Sequence, residues 1–298
     1  MFLKNPKPPR NQEHIAQPSR PLFPSPTATW HNTTYDAINP ANKHLSQSGK
    51  TVIITGGGNG VGRATAIAFA TAGAARLVLV GRTESSLRET AALIKTGTKV
   101  DIFSASVTDE VRLKEIAESV GNWDILLLNA AHRLTPGPIA SASLQDWWQH
   151  YETNVKSIVI ASQSFIPRAT ASAALYAITA GAHMMLPAYT PGLSSYLSSK
   201  VAQSKVLEFV AAENPNLFVC TVHPGMIETD VFKSSGADPQ QLPMDDVSLP
   251  ADFLVWLSQP KNKFLNGKVV WANWDVEELT ARAEEIRNSP IMTIGTAG

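Results

Sequence analysis

Thr51-Val-Ile-Ile-Thr55 runs directly into Gly56-Gly-Gly-Asn-Gly-Val-Gly62, and residues 60–72 continue with the spacing of a helix. A short β-branched run, a glycine-rich turn and a helix in that order form one unit. Its glycines let the chain turn tightly and let backbone N–H groups approach a phosphate at the positive end of the helix. A glycine triplet alone says little, because loops are rich in glycine. Its place between a strand and a helix gives it weight.

Working outward, the same alternation repeats from Lys50 to the end of the chain. Apolar strand-like runs fall at 76–80, 100–103, 125–128, 175–178, 217–222 and 268–271. Between them lie helical patterns at 84–95, where Leu87, Ala91 and Ile94 share a face, and at 109–120, with Thr108 as the expected N-cap. One long helix is expected over 144–167, and others over 194–212, 247–258 and 275–288. The strands are continuous apolar runs, as expected where helices cover both faces of a parallel sheet. The prediction is an α/β fold: a Rossmann-type doubly wound parallel sheet in a single domain over 29–298, with no internal repeat.

Composition narrows the function classes. Of the 298 residues, 44% are hydrophobic, enough for a sizeable core. Twenty-five basic residues balance 25 acidic ones, so charge gives no reason to expect a nucleic acid or an anionic membrane as partner. No apolar stretch approaches the ~20 residues of a membrane-spanning helix. Residues 1–28 carry seven prolines and read as a flexible or surface-draped extension. They lack a secretory h-region, and the expected location is the cytoplasm. The single cysteine, Cys220, cannot form an internal disulfide and reads as a buried strand residue. No metal site is expected.

Two further features carry chemistry. At the end of the second strand, roughly twenty residues past the glycines, a carboxylate would accept the ribose hydroxyls of NAD. Here the chain has Gly81-Arg82. A guanidinium pairs with a 2′-phosphate in forked geometry, so Arg82 favours NADP(H), with Asn59 and Thr83 as supporting donors. The competing reading is a merely solvated arginine. The second feature is Tyr196-Leu-Ser-Ser-Lys200, early in the helix after the fifth strand. Residues four apart share a helix face, so the ammonium lies near the phenol. A nearby cation favours phenolate and would lower the phenol's pKa towards working pH.

The spacing Thr55-Gly-x-x-x-Gly-x-Gly62, followed 140 residues after Gly56 by the tyrosine–lysine pair, resembles the short-chain dehydrogenase/reductase family over about residues 30–285. Asn129-Ala130-Ala131 is similar to its N-A-G segment, Asn154 to the helix asparagine that holds a water in the proton relay, and Pro224-Gly225 with Thr229 to the segment that contacts the nicotinamide. Ser106 stands where relatives often carry an Asp near the adenine, and residues 272–279 resemble the C-terminal signature of fungal members, many of which tailor secondary metabolites. The resemblance implies a cofactor site of Gly56, Asn59, Gly60, Val61, Gly62, Arg82, Asn129, Tyr196, Lys200, Pro224, Gly225 and Thr229. It also implies a catalytic set of Tyr196, Lys200 and Asn154, and a homodimer or homotetramer.

One position departs from that pattern. Relatives place a serine after the fifth strand, whereas this chain reads Ile178-Thr-Ala-Gly-Ala-His183. Aligning the strand end puts Ala180 there; counting thirteen back from Tyr196 lands on His183. Thr179 is the expected hydroxyl, His183 or Ser194 the substitutes, and outright loss the third option. The expected function is NADPH-dependent reduction of a carbonyl on a small organic molecule, or the reverse oxidation. Residues 226–246 are expected to form a mobile lid, and His132, Arg133, Met184, Met185 and Tyr189 to line the pocket. A non-redox isomerase, dehydratase or cyclase on the same scaffold is the alternative, and a non-catalytic NADPH sensor a third.

Overall fold

Seven apolar runs become seven strands of one sheet in the computed structural model, which describes residues 25–295. β1 (Thr51–Thr55) leads into α1 (Gly60–Thr71), β2 (Arg76–Gly81) into α2 (Glu84–Leu93), and β3 (Lys99–Ser104) into α3 (Glu110–Val120). β4 (Trp123–Leu128) is followed by α4 (Leu144–Tyr151) and α5 (Ser157–Phe165), and β5 (Ala169–Ile178) by α6 (Ser194–Glu213). β6 (Phe218–His223), α7 (Asp230–Ser234), α8 (Ser248–Leu257), β7 (Lys268–Trp271), α9 (Val276–Ala281) and α10 (Ala283–Arg287) complete the chain.

All neighbouring strands pair in parallel, in the order β3-β2-β1-β4-β5-β6-β7. This is the doubly wound, Rossmann-type sheet read from the sequence. Successive strand residues feed opposite faces. Val52, Ile54, Leu77 and Leu79 join Phe69 of α1 and Phe253 and Trp256 of α8 in one core. Ile53, Val78 and Val80 join Leu113 of α3, Ile158 of α5 and Leu207 of α6 in the other. Cys220 lies in the first core, and burial holds its thiol well above the usual range, as expected of an inert strand residue.

Several boundaries differ from expectation. The helix expected over 144–167 is interrupted by a π-helical turn, Glu152–Lys156, and ends in a 3₁₀ turn. A π turn shifts the helical register where side chains must be re-aimed, and here it contains Asn154. β5 begins six residues early, with a register shift in its pairing to β4. Thr108 is not the N-cap of α3: its hydroxyl meets Ser106 at 2.8 Å, while Asp109 accepts from Arg112 N at 3.0 Å. The helix expected over 275–288 breaks at Arg282 into α9 and α10.

Ahead of β1, the chain is tied to the C-terminal end of the fold. The Ala28 and Thr29 amides donate to Glu278, Arg282 donates to the Pro26 carbonyl, and Trp30 bridges Trp274. Residues 25–28 are thus draped over α9 and α10. The rest of the proline-rich extension lies outside the described residues.

Candidate active site

β1 and β4 are adjacent, yet the chain leaves β1 towards β2 and β3 and leaves β4 towards β5, β6 and β7. Their diverging crossovers open a crevice at the carboxyl ends of the strands, where such folds bind ligands. A cleft of about 600 Å³ lies there.

Its floor is the glycine turn. Gly56 and Gly60 adopt φ of +67° and +50°, which a side chain would strain. A Cβ on Gly62 would lie 2.3 Å from the Gly56 carbonyl oxygen and 2.6 Å from Asn129 Nδ2, so only glycine permits this closeness. The first intrahelical bond of α1 is Arg63 N to Asn59 O, which leaves the Gly60, Val61 and Gly62 amides unused by the helix at its positive end. Sequence reasoning missed Arg63, whose guanidinium donates to Gly58 O at 2.9 Å (from Nε) and pairs with Glu89, bracing the turn.

Gly56, Asn59, Gly60, Val61, Arg82, Asn129, Pro224, Gly225, Thr229, Tyr196 and Lys200 all border the cleft. Several have side chains engaged elsewhere. Asn129 donates to Thr55 O and Gly56 O at 3.0 and 3.2 Å, locking β4 to the glycine turn. Asn59 donates to Asp230 at 2.9 Å, and the Thr229 hydroxyl caps α7. Arg82 is exposed, with no ion pair among the described residues, and Ser106 lies nearby on the cleft wall. The unused amides at a helix start, a wall without side chains and a free guanidinium at the far end fit a nicotinamide dinucleotide.

At the other end stand Tyr196 and Lys200. The Lys200 Nζ lies 5.9 Å from the Tyr196 ring centroid and donates to Ile178 O at 2.7 Å and Gln203 Oε1 at 3.0 Å. Burial pushes the phenol up to about 12 and the ammonium down to about 7. This differs from the expected lowering of the phenol, because burial penalises the charged form of each group and the ammonium is aimed at two other oxygens. Gln203, one helical turn beyond Lys200, also donates to Ile178 O and was not anticipated, although its spacing could have flagged it. Asn154, in the π turn, donates to Ser199 at 2.9 Å and borders a small cavity the size of a single water molecule.

The position where relatives carry a serine lies on the cleft wall. Thr179 is buried, and its hydroxyl meets Ser204 Oγ at 3.4 Å on α6. Thr179 follows directly on β5 and borders the cleft, so the expected hydroxyl stands at the cleft with Ser204 of α6 as its partner. Ala180 borders the cleft without a hydroxyl. His183 is not on the cleft wall: both ring nitrogens are buried, and burial holds its pKa below the usual histidine value. Ser194 accepts from Trp147 Nε1. Sequence reasoning also missed His223, whose Nδ1 accepts from the Gly181 amide at 2.9 Å and fixes the loop after β5; burial drives its pKa down to about 3.

His132, Arg133, Met185 and Tyr189 border the cleft as expected, whereas Met184 points to solvent. The segment expected as a lid contributes Met226, Val231, Phe232 and Leu242 to the wall. Its two ends are pinned together, Met226 N donating to Asp245 Oδ2 at 2.7 Å and Asp245 N to Met226 O at 2.9 Å.

This glycine turn and its tyrosine–lysine pair coincide with a match to the family model for short chain dehydrogenases over residues 50–240. The chain belongs to the short-chain dehydrogenase/reductase family of oxidoreductases. It is 34% identical over 284 residues to a short chain dehydrogenase/reductase of Claviceps purpurea, covering 92% of this chain and 94% of that one. A short chain dehydrogenase/reductase of Aspergillus aculeatus, AacuD, is 33% identical, with coverages of 92% and 97%. Among solved structures, a 7α-hydroxysteroid dehydrogenase complexed with NADH and 7-oxo glycochenodeoxycholic acid superposes with a TM-score of 0.70, at 26% identity over 80% of this chain and 97% of that one. Among the described residues no helix is long and apolar enough to cross a membrane.

Proposed function

We propose that the protein reduces a carbonyl on a small organic molecule with NADPH, or runs the reverse alcohol oxidation. The observation that carries this reading is the placement of Tyr196 and Lys200 at one end of a cleft whose other end holds the glycine turn and the unpaired Arg82. Gly60, Val61 and Gly62 would take the pyrophosphate on their amides, Arg82 the 2′-phosphate, and Pro224, Gly225 and Thr229 the nicotinamide side. A nicotinamide dinucleotide supplies a hydride when bound there.

Tyr196 gives its phenolic proton to the substrate oxygen. A phenol pushed up to about 12 holds that proton at neutral pH and releases it only as negative charge develops on the oxygen facing it. Lys200, pushed down to about 7, exchanges protons at neutral pH and returns one to the phenolate; Asn154 and its adjoining cavity hold the water that resupplies it. The lid segment sets substrate size through Phe232 and Leu242.

The test is NADPH consumption with a panel of ketones. Wild-type turnover that Tyr196→Phe reduces by the ~10²–10⁴ typical of a lost general acid supports the assignment. Near-wild-type rates in that variant overturn it.

A second reading is favoured by one observation: Ala180, on the cleft wall, has no hydroxyl, and that of its neighbour Thr179 meets Ser204 at 3.4 Å. One oxyanion donor is typically worth about 10²–10³ in rate. On this reading the scaffold runs an isomerisation, dehydration or cyclisation, and product forms without net NADPH consumption. Under either reading we place the protein in the cytoplasm as a homodimer or homotetramer, acting on a secondary metabolite; the named relatives come from fungi.

A further inference from the structure

The helix that carries Tyr196 and Lys200 has no cap of its own: Leu193 precedes it, and no side chain bonds its first amides. Its first turns are held from the side. Trp147 Nε1 donates to Ser194 Oγ at 3.1 Å, His150 Nδ1 meets Ser195 Oγ at 3.0 Å, and Asn154 Nδ2 donates to Ser199 Oγ at 2.9 Å. Positions 147 and 150 are three apart, 154 lies in the π turn that follows, and 195 and 199 are four apart, so α4 and its π turn are laced to one face of α6.

His150 is the unusual member. It is 1% exposed, and its Nε2 is buried without a hydrogen bond. A buried imidazole with one nitrogen unused costs free energy that an aliphatic side chain would not. What it offers in return is a bond to the residue before Tyr196 and an edge-to-face contact with the Tyr196 ring, at 5.7 Å and 72°. On its other side it meets His132, a residue of the cleft wall, at 5.4 Å and 84°. Burial drives the imidazole down to about 4, so at neutral pH it is uncharged and its Nδ1 shares one hydrogen bond with the Ser195 hydroxyl.

We propose that His150 is a positioning residue for Tyr196: through Ser195 and by direct ring contact it sets where the phenol stands relative to Lys200 and the cleft. This rests on the reading of Tyr196 as proton donor, but its test does not require turnover. Protein labelled with ¹³C in its tyrosine rings gives a Tyr196 resonance assigned by Tyr196→Phe. Ser195→Ala leaves both rings in place and is expected to shift and broaden that resonance. His150→Leu should do the same, and His150→Asn, which keeps a hydrogen-bonding group near the Nδ1 position, should restore it. With a ketone that the wild type reduces, Ser195→Ala should lower kcat about ten- to hundredfold, the scale of a small misplacement, with NADPH affinity within about twofold. A Tyr196 resonance unmoved in Ser195→Ala overturns the proposal and leaves the bond a helix-packing contact. So does His150→Asn as impaired as His150→Leu. Ser195→Ala is nearly isosteric, so its resonance decides the matter even where His150→Leu fails to fold. If Tyr196→Phe keeps full activity, the assigned proton donor fails while the resonance still reports on positioning.

Discussion

Arg82 shows how much one residue decides. It sits at the end of β2 where a carboxylate would exclude a 2′-phosphate, and it is exposed and unpaired among the described residues. A charge-assisted bond to a phosphate is worth about 1.5–3 kcal/mol, roughly 10- to 100-fold in binding. Arg82→Leu is therefore expected to weaken NADPH by about that factor while leaving NADH within about twofold. Fluorescence titration with both nucleotides checks it, and equal losses for the two would reduce Arg82 to a solvated side chain. Lys200 teaches the opposite lesson. Its spacing from Tyr196 is plain in the sequence, but its bonds to Ile178 O and Gln203 are tertiary, and burial leaves the phenol raised.

At the scale of elements, the β1–turn–α1 unit works because the chain nearly touches itself. Gly62 faces the Gly56 carbonyl with no room for a methyl group. Gly62→Ala should cost about 1–3 kcal/mol by overpacking and also weaken dinucleotide binding, because relief must move the turn. Gly73 is the control: it has φ of +84° but open space around it. Gly73→Ala should cost about 1 kcal/mol through backbone strain and leave binding unchanged. Urea denaturation with NADPH titration separates the two, and intact binding in Gly62→Ala would contradict the turn's assigned role. The π turn at Asn154 belongs to this scale as well. Periodicity over 144–167 reads as one helix, because a single extra residue in a turn leaves the apolar pattern almost unchanged.

For the whole molecule, the buried titratable groups set an acid limit. His150 and His223 are held at about 4 and about 3, against an ordinary 6.5. With folded values below unfolded ones, their contribution is full above pH 6.5 and is lost as pH falls through that window, because the unfolded chain takes up the protons first. Each costs about 1.4 kcal/mol per pH unit there. Asp252, raised to about 6 by burial, acts in the opposite sense: its contribution is full below about pH 4 and is lost as pH rises through 6. Two histidines outweigh one aspartate between pH 4 and 6. Urea midpoints should therefore fall steadily from pH 6.5 to pH 4.5, and flat or rising midpoints would mean that these histidines are not held neutral.

The amino-acid sequence alone determined the order of strands and helices, the parallel sheet, the glycine turn and the pair at 196 and 200, because each is a local pattern: continuous apolar runs, a tight turn, a fixed helical spacing. Where each polar side chain points was decided only by tertiary structure. Thr179, on the cleft wall, meets Ser204 only because α6 packs beside the end of β5, and His150 reaches Ser195 only because α4 and α6 pack side by side. Asn129 and Asn59 are spent on the turn and on Asp230 for the same reason. Hydrogen bonds between residues far apart in the chain leave no periodic trace, so the backbone was legible in the sequence and the partnerships of its active-site side chains were not.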